Sequence, residues 1–191
     1  MYGLLRIIIW IPILAFVSQQ RKNLGKNKYI ILVLMIIFVA MPVSSLFPIE
    51  NLFVTFSTPE KSYNYVNFEK AKITISGDNT DLVIGHENTY LIIPKTDKGW
   101  KIGRGIDTKT VSANYNDGII VSLFKHKKSG EYYVEVYNLD GKTCTIEDSG
   151  DSEFYNVKNE ELCRYYAYVH NLDDSYELFV NGKEVNLAID E

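Results

Sequence analysis

No acidic residue stands before Glu50, and the only basic ones there are Arg6, Arg21, Lys22, Lys26 and Lys28. The other 15 Lys and Arg and all 24 Asp and Glu fall in residues 50–191. The first stretch is therefore basic and the rest strongly acidic. An acidic domain repels phosphate backbones, so no nucleic-acid partner is expected. Cysteine is scarce too. Cys144 and Cys163 are the only two, and neither lies near the N-terminus to accept a lipid. Two isolated cysteines make no disulfide framework. Strand alternation puts Cys144 on the side of Ile146, and Cys163 on that of Tyr165, Ala167 and Val169. A bridge is geometrically open, but two thiols acting as small hydrophobes is the preferred reading.

Chemical signatures are missing in the same way. The three histidines, His86, His126 and His170, sit near turns, and no two have ligand spacing such as HxH or HExxH. There is no GxSxG elbow, and Cys144 has no histidine near it in sequence. The acidic loops GDNTD, DSGDSE and NLDDS miss the DxDxDG calcium register and read as solvated turns. No catalytic, cofactor-binding or metal-ligating residue is expected, and a non-enzyme is favoured.

What is present begins with YIILVLMIIFVAMPVSSLF, Tyr29–Phe47, nineteen residues without a charge. At 1.5 Å per residue a helix of that length reaches about 28 Å, close to the hydrocarbon thickness. Pro42 is tolerated better there than in a soluble helix. The preceding RKNLGKNK carries four positive charges, which places it in the cytoplasm and everything after Phe47 outside. Three arrangements of residues 2–18 stay open. They form a first span of about 25 Å with Arg6 at the outer interface, a helix lying in the inner interface, or a cleaved signal peptide. The first gives an anchor (residues 1–48) built as a hairpin around a basic turn at 21–28. No sorting-type tail is expected after the domain, so the hydrophobic helix is the expected anchor.

Residues 49–70 read as a linker followed by a short helix, with Thr58 as cap, Pro59 at the first helical position and Glu60 at the positive dipole end. From Ala71 the period changes to two. AKITIS, DLVIG, TYLIIP, GWKIGRG, GIIVSLF, EYYVEVYNL, LCRYYAYVH, SYELFV and KEVNLAI read as strands. Asp140-Gly141 and Asn181-Gly182 mark tight turns. The expected fold of residues 71–191 is mainly β, an antiparallel sandwich or a partly closed barrel.

FSTPEKSYNYVNF followed by LIIPKTDKGWKIG resembles short, membrane-anchored, functionally unassigned proteins of Gram-positive bacteria. The resemblance implies an anchored extracytoplasmic domain and supplies no activity.

Tyrosine is abundant, with 14 residues. Neighbours in a strand point to opposite faces, so one of Tyr132 and Tyr133, and one of Tyr165 and Tyr166, is expected outside. Tyr133, Tyr137, Tyr166 and Tyr168 share one face with Glu135, Arg164 and His170. Exposed aromatics among charges mark interaction surfaces. The expected function is a membrane-anchored extracytoplasmic interaction or sensing module that binds an envelope protein through this face. The alternative is a carbohydrate or cell-wall-binding domain that stacks the same tyrosines on sugar rings; an enzyme with an unrecognised site comes third.

Overall fold

The computed structural model describes residues 2–23, 25–36, 38, 48–67, 69–158, 163–170, 172–173 and 175–187. The fold is mainly β and its strand pairings are antiparallel. The first sheet runs β1 (Ala71–Ser76), β2 (Thr80–Gly85), β3 (Tyr90–Thr96), β4 (Gly99–Trp100). The second takes β5 (Thr108–Asn116), β6 (Ile119–His126), β7 (Tyr132–Asn138), β10 (Cys163–Val169) and β9 (Tyr155–Lys158) in that order. The third is small: β12 (Lys183–Glu184), β11 (Leu178–Val180), β8 (Ile146–Asp148).

The second sheet is the middle layer. Val121, Leu123, Val134, Val136, Ala167 and Val169 pack one of its faces against Leu178 and Val180 of the third sheet. Tyr133, Tyr166 and Tyr168 pack the other against Ile75, Leu82, Ile84 and Ile92 of the first. The first sheet is itself covered on its far side, where Val83 and Ile93 meet Tyr63. That is why β2 is buried at every position rather than alternating.

Tyr63 belongs to helix α3 (Pro59–Val66), whose cap is as the sequence implies: the Thr58 side chain accepts from Lys61 N at 3.3 Å and Pro59 opens the helix. The Asn181-Gly182 hairpin also forms, both residues at positive φ (53° and 73°), as a primed two-residue turn requires. Asp140-Gly141 is a turn but not a hairpin, since the strands on either side of it enter different sheets. The acidic stretch DSGDSE runs from the end of β8 toward β9.

The N-terminal part departs from expectation. Helix α1 (Tyr2–Gln20) and helix α2 (Lys26–Met35) are joined by a turn and touch each other. The span expected over Tyr29–Phe47 is not shown. Helix α2 has ten residues, a rise of about 15 Å, and residues 37 and 39–47 lie outside those described. Among the described residues no helix is long and apolar enough to cross a membrane.

Candidate functional site

The four tyrosines do share one face, as the β7–β10 register dictates: Tyr137 faces Arg164, Glu135 faces Tyr166, and Tyr133 faces Tyr168. The face is not open, however. The first sheet covers it, leaving Tyr133, Tyr166 and Tyr168 buried and Tyr137 half-buried. The expectation that one member of each tyrosine pair is exposed also needs correcting. Tyr165 and Tyr166 are both buried, because β10 is covered on both faces.

Hydroxyls and charges inside this interlayer find each other. At one end, Glu135 Oε1 accepts from Arg164 Nη1 at 2.7 Å and from the Tyr166 hydroxyl at 2.6 Å. The Arg164 guanidinium also lies 4.1 Å from the centre of the Tyr137 ring, a cation–π contact. At the other end, Glu131 Oε2 accepts from Thr80 Oγ1 at 2.5 Å, and Oε1 from Asn79 N at 2.5 Å. Tyr168 donates to Asp78 Oδ2 at 3.0 Å, and Tyr133 to Thr80 O at 3.0 Å. Burial raises the hydroxyl pKa of Tyr133 and Tyr166, and takes Tyr168 up to about 12, the neighbouring carboxylates adding to it.

One grouping in the turn after β6 has the residue types of nucleophilic catalysis. Ser129 Oγ lies 2.8 Å from His126 Nδ1 and 3.1 Å from Glu131 Oε2. The connectivity is wrong for a relay, in which the acid orients the base and the base contacts the nucleophile. Here acid and imidazole both contact the hydroxyl, and Nδ1 also accepts the Ser129 backbone N–H at 3.3 Å. Burial lowers the His126 pKa, which keeps the ring neutral. Glu131 meanwhile serves the first sheet through Asn79 and Thr80. The cluster fastens one hairpin to the neighbouring layer. His170 stands edge-on to Tyr168, ring centres 4.7 Å apart. Among the described residues, no three His, Cys, Asp or Glu side chains are grouped to hold a metal ion. Cys163 is buried and Cys144 half-buried on the apolar side of the second sheet, both as thiols.

Two apolar surfaces are open. The first belongs to the N-terminal helices. Ile11, Ile13, Leu14 and Phe16 on α1, and Ile30, Ile31, Leu34 and Met35 on α2, are all exposed, and their positions do not fall on one stripe. The second begins at Ile49–Leu52, a 3-10 turn, and carries Leu52 at 76% and Phe53 at 80% exposure. This segment is expected as a linker, yet it is fastened to the β domain. Asn51 pairs with the Ile102 backbone in both directions, Nδ2 donating to the carbonyl at 3.0 Å and Oδ1 accepting the N–H at 2.7 Å. Lys101 Nζ donates to the carbonyls of Asn51 and Val54, each at 2.8 Å. Phe56 and Trp100 exchange backbone hydrogen bonds at 2.8 and 3.0 Å. Gly99 makes that approach possible: a Cβ there would lie 2.3 Å from the Phe56 carbonyl oxygen. Only the adjacency of Leu52 and Phe53 to the apolar stretch signals this surface in the sequence.

A shallow cleft of about 150 Å³ opens between Asn114, Asp117, Ile119, Val180 and Lys183. Lys183 bridges to Asp117 at 2.9 Å across it, and the neighbouring Tyr115 is 67% exposed. No family model, curated protein or solved structure matches the chain.

Proposed function

We propose that the chain is a membrane-anchored module whose β domain lies outside the cytoplasm and binds a protein partner of the envelope, without chemistry of its own. The observation that carries this is the apolar surface of the two N-terminal helices. Eight large apolar side chains of α1 and α2 are exposed, while Arg21, Lys22, Lys26 and Lys28 cluster at the junction between them. Exposed apolar surface without a polar stripe needs a cover, and a bilayer supplies one. In sequence the uncharged run Tyr29–Phe47 has the length of a span, and the basic cluster before it sets the orientation. The resemblance to anchored proteins of Gram-positive bacteria points the same way.

A partner would have to use what the layers leave open. The tyrosine face lies between sheets, which removes the basis for stacking sugars on Tyr133, Tyr166 or Tyr168. Tyr115 and the cleft beside it remain, at an edge strand with an aromatic group, two amides and an ion pair.

Protease added to intact protoplasts tests topology. The expected result is loss of a C-terminal tag while the apolar N-terminal part of the chain stays in an alkali-resistant membrane fraction. Recovery of the chain in the soluble fraction would overturn the anchor, and a protected C-terminal tag would overturn the sidedness. Crosslinking followed by capture through the C-terminal tag then tests the partner. One envelope protein recovered reproducibly supports the reading, and wall glycan without protein would replace it with the carbohydrate-binding one.

A further inference from the structure

We infer that Leu52 and Phe53 form a wedge that enters the lipid surface and holds the β domain flush against the bilayer in one orientation. The inference rests on the membrane reading above and deepens it. A stalk that lets a domain tumble has no reason to be fastened to it, and this one is fastened at both ends of the wedge. Asn51, before the pair, is locked to Ile102 and Lys101. Val54 and Phe56, after it, are held by Lys101 and Trp100. The pair itself is left out of every layer, at 76% and 80% exposure, although it is the most apolar part of the segment.

Distance selects lipid as the occupant. Four residues separate Phe47, the last of the apolar run, from Leu52, and Ile49–Leu52 is a 3-10 turn rising about 2 Å per residue. The wedge therefore lies within about 17 Å of the end of the run even if the chain were fully extended, and nearer with the turn in place. The headgroup region, about 5–8 Å deep, begins where the run ends and lies within that reach. A rigidly presented Leu-Phe pair there meets acyl chains and headgroups before any protein. Glu50 is buried, so its charge does not stand between the wedge and the lipid. The consequence is a fixed geometry. The β3–β4 end of the first sheet is held at the membrane, so the domain meets its partner in one orientation.

The experiment places tryptophan at the wedge in the full-length protein, reconstituted in phosphatidylcholine–phosphatidylglycerol vesicles. Trp10 is replaced by Phe, and Trp100 is the background common to all samples. Phe53→Trp is compared with Tyr115→Trp, with lipid brominated near the head of the acyl chain as quencher. Both substituted side chains are exposed, so neither change disturbs the core. The expected result is a blue-shifted Phe53→Trp signal that loses about half its intensity in brominated lipid, as for a group 5–10 Å into the headgroup boundary. Tyr115→Trp should not change. Equal behaviour of the two in protein that floats with the vesicles would overturn the wedge and leave the anchor standing. Failure of the protein to float would overturn both.

Discussion

The two faces of the second sheet are built from different chemistry. One is aliphatic: Val121, Leu123, Val134, Val136, Ala167 and Val169 meet Leu178 and Val180. The other carries Tyr133, Tyr166 and Tyr168, with Glu131, Glu135 and Arg164 at its ends. Burial of the first is non-directional and scales with area. Burial of the second works because the hydroxyls of Tyr133, Tyr166 and Tyr168 and the carboxylates of Glu131 and Glu135 meet partners at set distances, and losing one would be expensive in this setting. The same strands thus hold one neighbour by shape and volume and the other by hydrogen-bond geometry.

The sharpest way to separate the two is to remove volume from one face and a charge from the other. Leu123→Ala, at a fully buried position, should cost about 4 kcal/mol, since the sheets on either side cannot collapse onto the cavity. Denaturant unfolding would measure it; a loss under 1 kcal/mol would show that the third sheet repacks freely. Glu135→Leu should cost about 3 kcal/mol by stranding Arg164, the low end of the range for a broken buried pair because the arginine side chain stays 22% exposed. The contrast lies in the repair. Glu135→Leu combined with Arg164→Met should recover most of the loss, because an ion pair can be exchanged for an apolar pair of like volume. No comparable second change recovers Leu123→Ala unless it refills the cavity.

Tyrosine hydroxyls make a smaller and pH-dependent contribution. Tyr168→Phe removes hydrogen bonds to Asp78 and Glu131 and should cost about 1 kcal/mol at neutral pH. Burial raises the Tyr168 pKa to about 12. From the ordinary value of about 10 up to about 12, the unfolded chain has released this proton and the folded one still holds it. Stability is therefore complete below pH 10 and falls as pH rises through that window. Tyr168→Phe should flatten the fall by up to about 1.4 kcal/mol per pH unit. An unchanged alkaline slope would mean that Tyr168 titrates as a solvated phenol.

The sequence made the faces legible but not their covers. Alternation from Tyr132 to Tyr137 and from Arg164 to Tyr168 places each side chain on its correct side. It cannot say whether another layer lies over that side, because tyrosine suits an open sheet and a hydrogen-bonded interlayer equally. Strand β5 is hard to read from the sequence for a related reason. TKTVSANYN buries Val111 as its one large apolar residue, as an edge strand can, so its period is faint. The Asp117-Gly118 turn, both residues at positive φ, was the better signal. The Asn51 and Lys101 contacts join positions about fifty residues apart, and no local pattern announces such a pairing. Strong local signals, Thr58-Pro59 and Asn181-Gly182, were realised where they stood.

The smallest effect on stability falls at the residue that bears most directly on a partner. Truncating Tyr133, Tyr166 or Tyr168 opens a cavity between layers, so a lost contact would report unfolding rather than recognition. Tyr115 is free of that ambiguity. It lies on the edge strand β5, 67% exposed, beside the Asp117–Lys183 bridge. Tyr115→Ser should change unfolding free energy by less than about 0.5 kcal/mol, as for a surface position away from caps and cores. If this edge is the partner surface, the same change should abolish crosslinked recovery of the envelope partner, because exposed aromatics carry a large share of interface energy. Unchanged recovery with unchanged stability would move the surface off β5. A stability loss above 1 kcal/mol would instead show that this edge is covered by the chain itself, and that the open side of the second sheet lies elsewhere.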